Sequence, residues 1–394
     1  MIGGGPTGRP SRDDLIARAR ALATKLRDRA GGAEKQRRLP DQTVADVIAA
    51  GFTRIVRPSR YGGFDMGWDD LCVIAMELAR GCGSQAWVAN IYSEHNFLVG
   101  LFDDRAQQDV WGTTPDALVA SALIPFADMA KRQSGGYVLN GRWPFLSGID
   151  HSSWAILGAL VARDDDTPEH QFFLVPATHY DIIDDWHTMG MAGTGSKSIQ
   201  LNKVFVPAHR ALANRLVVSG TTPGAAINLA PVFRMPMIGF SLLALASVVV
   251  GMAECMVEEF NARLKTRAST GRSQAGGDAP LTRLTEASAE TQAARLMVLD
   301  AASANMAKLT EGGTLSRDEQ MISRRNGAYA ATLARRAASR LYEASGAHEI
   351  YLGGHMQRSF RDIYAATAHT GLSWDRTAVE YGRHQTGLPF QPLF

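Results

Sequence analysis

From Met237 onward the chain carries four long alanine-rich stretches with apolar residues at helical spacing: Met237 to Arg267, Leu281 to Thr310, Ser316 to Ala344 and Phe360 to Tyr381. Stretches of that length joined by short connections bury their apolar stripes against one another, which predicts a four-helix bundle. The first hundred residues are helical too, in shorter pieces. Ser11 is placed to cap a helix with Asp13 and Asp14 in its first turn, and Leu15, Ala19, Leu22 and Leu26 keep its period. Further helices are expected over 40–50 and from Trp68 to Arg80. Gly81-Cys82-Gly83 then breaks the pattern, and Ser84 is placed to cap a fourth helix reaching about Phe102.

Between these helical regions the period changes. Leu118 to Leu123, Gly136 to Phe145, Trp154 to Val161, Gln171 to Val175 and Ser198 to Val206 read as short strands separated by Gly, Pro, Asp and Asn. They predict a small antiparallel barrel or sandwich. The expected chain is mainly α with a central β-barrel: a flexible tail at 1–10, an N-terminal helical domain at 11–116, a β-barrel domain at 117–215 and a C-terminal four-helix bundle at 216–394.

Composition excludes several functions. A formal net charge of +2 over 394 residues gives no electrostatic case for nucleic acid. Cys72, Cys82 and Cys255 form no CxxC pair and no Cys/His cluster in sequence, which argues against a disulfide framework or a metal site and fits a reducing cytoplasm. The longest apolar run, Gly239 to Ala253, is too short to span a bilayer and meets Glu254 at once, so a buried bundle helix is expected and no membrane partner. Gly3 to Gly8 formally match GxGxxG, a dinucleotide fingerprint. Only Met1-Ile2 precede that match and Arg9-Pro10 follow it, so the strand and helix the fingerprint needs are missing.

The densest chemistry lies in Arg142 to Trp154, where Trp143, Phe145, Ser147, Gly148, His151 and Trp154 crowd together. Flat aromatic walls with a few hydroxyls suit a planar heteroaromatic ligand. A packed barrel rim without a ligand remains open on these residues alone. Asn140-Gly141 just before it is a two-residue hairpin signal, and the chain is expected to leave its strand at Ser147-Gly148. The loop Gly190 to Ser196, with Thr194 and Gly195, could turn backbone N–H groups towards an anion or a ring edge. On the fourth helix His95 shares a face with Val88, Ile91, Tyr92, Val99 and Phe102, which buries it or turns it to a cavity.

The order helices, strands, long helices resembles the acyl-CoA dehydrogenase fold. Tyr61-Gly62-Gly63, Gly136 to Trp143, Val204-Phe205-Val206-Pro207, and Leu352-Gly353-Gly354 followed by Arg361-Asp362 look like that superfamily's motifs. Leu123-Ile124-Pro125 stands where dehydrogenases carry TEP, and His369-Thr370-Gly371 stands near where many carry a catalytic glutamate. Trp143-x-Phe145-x-Ser147-Gly148-x-x-His151-x-x-Trp154 together with Arg361-Asp362 and His369 resembles group D two-component flavin monooxygenases, the 4-hydroxyphenylacetate 3-hydroxylase type.

That resemblance implies reduced FMN or FAD supplied by a separate reductase, O2 as co-substrate, and hydroxylation of a small aromatic, phenolic substrate through a C4a-hydroperoxyflavin kept dry and hydrogen-bonded. It implies Ser147 at flavin N5, with Trp143, Phe145, Arg234, Thr194, Gly195, Ser196, Gly353 and Gly354 also around the flavin. It implies His369 as base for the phenol, and His95, Ser121 and Arg234 near the substrate. His151 is assigned to structure. The superfamily implies a homotetramer, with Gly353 and Gly354 approaching flavin phosphate from a neighbouring subunit. Acyl-CoA dehydrogenation, N- or S-oxygenation on the same fold, and a non-enzymatic scaffold are the competing readings. Keeping Ser147, Arg234 and His369 together argues against the scaffold.

Overall fold

A computed structural model describes residues 9–163, 165, 167–269 and 278–389. Gly3 to Gly8 and the Ala275 to Gly277 stretch lie outside the described residues. The N-terminal part comprises α1 (Arg12–Gln36), α2 (Asp41–Ala49), α3 (Trp68–Ala79), α4 (Gly83–Gly100) and α5 (Asp104–Trp111). Ser11 caps α1 as the sequence predicts, and Asp14 makes the cap a reciprocal capping box. Ser84 does not cap α4; the N-cap is Cys82, and Ser84 lies inside the first turn. The short α5, eight residues with Ala106, Gln107, Val110 and Trp111 on its buried face, is not among the expected helices.

The strands follow as β1 (Val119–Ala122), β2 (Lys131–Gln133), β3 (Gly136–Leu146), β4 (Trp154–Ala162), β5 (Pro168–Pro176), β6 (Asp181–Ile183), β7 (Lys197–Pro207) and β8 (Ala211–Ala213). They pair as two four-stranded sheets, β1-β4-β5-β8 and β2-β3-β7-β6. No closed barrel forms among the described residues; the two small sheets match the sandwich alternative, and the expected all-antiparallel pairing is corrected by β1, which pairs β4 in parallel. One apolar core, including Leu139, Trp143, Leu157, Phe173 and Ile199, draws on strands of both sheets.

Asn140-Gly141 is not a hairpin turn. It lies inside β3, where pairing with β7 slips between Leu139 and Gly141, a bulge. Asn140 donates to Asp128 Oδ2 at 3.0 Å and accepts from Lys203 N at 3.2 Å. Gly141 has φ +125°, and a Cβ there would meet the Ala127 Cβ at 2.7 Å. The hairpin turn lies earlier, between β2 and β3, where Gly135 takes φ +78°.

Two short helices, α6 (Asn214–Ser219) and α7 (Pro223–Ile227), lead into α8 (Met237–Ser269), α9 (Ala279–Thr310) and α10 (Arg317–Ser345). These three match the predicted bundle helices within about two residues. α8 is long and apolar enough to cross a membrane, yet most of it is buried, packed on α3, α4, α9 and α10. The fourth predicted helix is two: α11 (His355–Thr367) and α12 (Trp374–Gln385). Between them Thr370–Leu372 form a single 3-10 turn. Gly371 makes the break possible, since a Cβ there would meet Leu242 Cδ2 at 2.5 Å.

Candidate active site

The site is organised on α4, a helix buried on all sides. Ser84, Trp87, Ile91, Glu94, His95 and Leu98 keep 4 to 9 % of their surface, while Ala86, Val88, Ala89, Asn90, Tyr92, Ser93, Asn96, Phe97 and Val99 keep 2 % or less. At about 100° per residue, the six accessible positions fall within an arc of roughly 100°. One stripe of α4 therefore faces a cavity. The apolar face read from periodicity is offset from this stripe. Val88 and Tyr92 pack against Gly148, and Tyr92 donates to the Gly148 carbonyl at 2.7 Å. Ile91 and His95 belong to both faces.

His95 is buried between two partners on β1. Its Nδ1 lies 2.7 Å from the Val119 carbonyl and its Nε2 2.8 Å from Ser121 Oγ. A carbonyl only accepts, so Nδ1 carries the proton and Nε2 accepts from the Ser121 hydroxyl. Burial pushes the His95 pKa down to about 4. His95 is thus neutral and acts by aiming Ser121, whose free lone pairs can accept a ligand hydroxyl. The sequence pointed to both residues, and the structure makes them one unit.

Ser147 heads a chain of hydroxyls. Its Oγ is 2.8 Å from Ser196 Oγ, which is 2.6 Å from Thr194 Oγ1, which donates to the Met191 carbonyl at 2.8 Å. The carbonyl at the end fixes the direction: Thr194 donates to Met191, Ser196 to Thr194, and Ser147 to Ser196. Ser147 is left as an acceptor. A flavin fits here best in its reduced form, whose N5–H is a donor. Phe145, two residues earlier, takes φ +67° and is largely exposed. Its ring meets Trp186 edge-on at 6.1 Å in a concavity of about 550 Å³ that Ser196 also lines. These aromatic walls and the hydroxyl chain suit a flavin ring.

Other candidate residues are placed differently. Trp143 is fully buried in the sheet core and donates to the Gly158 carbonyl at 2.8 Å, so the expected flavin contact is corrected to a packing role. In the loop at 190–196 the N–H groups of Thr194 and Gly195 are turned inward rather than towards a ligand. Thr194 N bonds Met191 O and Gly195 N bonds Ala192 O, while a Cβ on Gly195 would meet Asp150 Oδ2 at 2.7 Å. His151 holds the Leu39 carbonyl at 2.9 Å, a structural bond. Arg234 donates to the Leu309 carbonyl at the end of α9 and leaves its Nε without a partner. Among the described residues no hydrogen bond joins Arg234 to Ser147, His95 or His369.

Arg361 and Asp362 act as fastenings. Asp362, buried, accepts from Met191 N at 2.5 Å and from Ser84 Oγ at 3.5 Å, and burial raises its pKa to about 6. Arg361 donates to the Met189 carbonyl at 2.6 Å and pairs with Glu34 at 2.6 Å. Together they hold the loop carrying Thr194 and Ser196. Gly353, with open space where a Cβ would stand, and Gly354 precede α11, while His369 follows its other end. Thirteen residues of helix, about 20 Å, separate them, so within one chain they do not share a site.

His369 lies beyond α11, not on it, at the N-cap of the 3-10 turn. Its ring meets Trp87 of the cavity stripe edge-on at 5.9 Å. Gly371 N donates to His369 Nδ1 at 3.1 Å. In the neutral ring the proton is therefore on Nε2, which is a donor. The surrounding protein pushes the pKa down, to about 4. The ring is still open to solvent at the cavity mouth, which tempers that push, but either way it is neutral near pH 7. In this arrangement His369 offers an N–H to a ligand oxygen, and the expected role as base would require it to release Gly371.

Trp87, Trp186 and the pair Asn90–Glu94 were missed in the sequence, because ring contacts and cavity faces are set by neighbouring elements. A larger concavity of about 910 Å³ between α1, α3, α8 and α9 lies elsewhere. There Arg20, Arg80 and Arg295 each pair with a glutamate. Beside it Cys255, Glu259 and His355 come within metal-binding reach of one another, but Arg27 already bonds Glu259 at 2.6 Å and Cys255 Sγ at 2.7 Å, filling the cation position.

The acyl-CoA dehydrogenase N-terminal domain family matches residues 11–106, and the acyl-CoA dehydrogenase C-terminal domain family matches residues 243–374. The flavin-dependent monooxygenase oxygenase subunit HsaA of Rhodococcus jostii (strain RHA1) is 33% identical, over 95% of this chain and 98% of that protein. The FADH(2)-dependent resorcinol hydroxylase oxygenase component of Rhizobium sp. (strain MTP-10005) is also 33% identical, over 95% of this chain and 94% of that protein. The crystal structure of 3-HSA hydroxylase from Rhodococcus sp. RHA1 superposes with a TM-score of 0.93 at 32% identity, covering 97% of this chain and 99% of that one. Similarity of this extent over nearly the whole length shows that the chain belongs to the oxygenase components of two-component flavin-dependent monooxygenases, built on the acyl-CoA dehydrogenase fold.

Proposed function

We propose that this chain hydroxylates a phenolic substrate, using O2 and reduced flavin delivered by a separate reductase. Bound reduced flavin supplies two electrons to O2, so that one oxygen atom enters the aromatic ring and the other leaves as water. The observation that carries the reading is the direction of the Ser147-Ser196-Thr194 hydroxyl chain, which leaves Ser147 an acceptor for a flavin N–H. Phe145 and Trp186 would flank the ring. Reduced FAD is favoured over FMN, because the resorcinol hydroxylase relative is named FADH(2)-dependent and XiaF, at 29% identity, was solved with FADH2.

At the other end of the cavity, Nε2–H of His369 would stabilise the substrate oxygen as phenolate, the form that makes the ring nucleophilic. The open mouth beside His369 gives the phenol proton a way to solvent. Ser121, aimed by His95, would accept from a substrate hydroxyl.

We further propose assembly as a homotetramer in a reducing cytoplasm. Ile350, Tyr351 and Leu352 form a consecutive apolar run 66 to 73 % exposed beside Gly353, a patch that a partner subunit would cover. All three cysteines are free and buried. Light scattering at micromolar concentration checks the assembly; a monomeric mass rejects it.

The test of function mixes purified protein with an unrelated flavin reductase, NADH, FAD and a panel of simple phenols. Dihydroxylated product is expected, and none without the reductase. Hydrogen peroxide as the sole oxygen product across the panel, or turnover without a reductase, overturns the reading.

A further inference from the structure

On the cavity stripe of α4, one polar side chain is not used by the chemistry above. Glu94 is 6 % exposed, one residue from His95 and about two turns along the helix from Trp87. Its neighbour one turn back, Asn90, donates to Glu94 Oε1 at 3.0 Å. No other hydrogen bond to Glu94 forms among the described residues, no cation pairs with it, and the Oδ1 of Asn90 is buried without a partner. The remaining neighbours on this side are apolar or neutral. Phe97, one turn on, packs between Trp68 of α3 and Phe240 of α8, and Cys72 of α3 is close enough to feel the Glu94 charge.

A carboxyl with this surrounding stays uncharged, since burial without a counter-charge raises its pKa, here to about 8. A neutral carboxyl keeps one O–H to donate. Asn90 already supplies the acceptor oxygen with a donor, so the O–H is what the cavity presents. Isolated buried donors cost stability unless something meets them, and the accessible position of Glu94 on the cavity stripe means that a ligand can.

We propose that Glu94, oriented by Asn90, is a substrate-recognition group that donates to an uncharged oxygen, a hydroxyl or carbonyl, on the substituent of the phenol remote from His369. The proposal rests on the reading of this cavity as the substrate cavity. The scale agrees with a substituted ring. Trp87, which marks the His369 end, and Glu94 are seven residues apart, about 10 Å along the helix. That span exceeds one benzene ring and admits a ring with a short polar side chain. An ionised amine is not the expected group, because it needs several acceptors where the cavity offers one uncharged acid.

The test measures binding to the flavin-free protein by calorimetry with three probes of similar size: 4-ethylphenol, 4-(2-hydroxyethyl)phenol and tyramine. In the wild type the hydroxyethyl probe should bind roughly 5- to 10-fold more tightly than 4-ethylphenol, the worth of one good hydrogen bond. Glu94→Leu should erase that ratio, and Glu94→Gln, which keeps an N–H donor, should retain part of it. A ratio unchanged in Glu94→Leu overturns the proposal, as does tyramine binding more tightly than the hydroxyethyl probe. If either variant fails to fold, the tyramine comparison in the wild type still decides. Wild-type turnover of 4-ethylphenol with the reductase separately tests whether the chain hydroxylates phenols at all, so the two failures cannot be confused.

Discussion

The two walls of the cavity are built on different principles. On the strand side the flavin-facing hydroxyls are committed: Ser147, Ser196 and Thr194 run in one direction to a carbonyl. On the helical side His369 hangs on a 3-10 turn with one hydrogen bond, open to solvent, and Glu94 keeps an unmatched O–H. A flavin is the same molecule in every turnover, and fixed dipoles cost no reorganisation when charge develops. Substrates differ, and the wall that meets them is less constrained. Rigidity is thus placed where the ligand is invariant.

The largest expected effect tests the loose wall. His369→Ala should slow hydroxylation roughly 100- to 1,000-fold, the usual cost of removing a donor from a developing oxyanion. His369→Gln should recover a substantial part, because the amide N–H falls near the position of Nε2. Single-turnover product analysis decides: no recovery in the glutamine variant returns His369 to the role of base. Raising the pH should partly rescue His369→Ala, since the phenol then ionises unaided.

Ser196→Ala tests the rigid wall. Without Ser196 to receive its proton, Ser147 can turn its O–H towards the flavin, and the preference for reduced over oxidised flavin should fall by about tenfold, near 1.4 kcal/mol. Hydrogen peroxide should rise at the expense of product. An unchanged ratio of the two flavin dissociation constants would mean that hydroxyl direction does not matter.

A smaller change separates packing from binding. Trp143→Phe removes the bond to the Gly158 carbonyl and leaves a buried acceptor unmet, for a loss of about 1–3 kcal/mol. The melting temperature should drop while flavin affinity holds. The reverse pattern would restore Trp143 as a flavin contact.

A pH-dependent effect concerns the fastening between the walls. The Asp362 pKa is raised in the folded protein to about 6 from 3.8, so the unfolded chain gives up its proton first and folding stability falls as pH rises from about 4 to about 6. Asp362→Asn keeps an acceptor for Met191 N and has no charge to bury. Its melting temperature relative to wild type should climb across that window and then level off. A difference flat in pH would show that Asp362 is not protonated when folded.

Much of this was legible in sequence where the signal is local. The Ser11 cap, the three bundle helices and the strand ending at Leu146 read from residue pattern, and Ser147, Ser196, His95, Ser121 and His369 were candidates from the resemblance. Asn140-Gly141 misled because a bulge and a hairpin make the same demand for a left-handed or extended glycine, and only the partner strand β7 tells them apart. Trp143 misled because alternation along a strand places a tryptophan on one face without saying which face is core.

Most of the elements and their order were thus written in the chain itself, because capping, period and composition act within a few residues. What each group can offer a ligand depends on the folded surroundings. The direction of the Ser147 hydroxyl depends on a carbonyl at Met191, the tautomer of His369 on Gly371 N against a close-packed Leu242, and the charge of Glu94 on the lack of a cation beside it among the described residues. Hydrogen-bond polarity and desolvation are properties of what surrounds a group, and those surroundings exist only once distant parts of the chain have met.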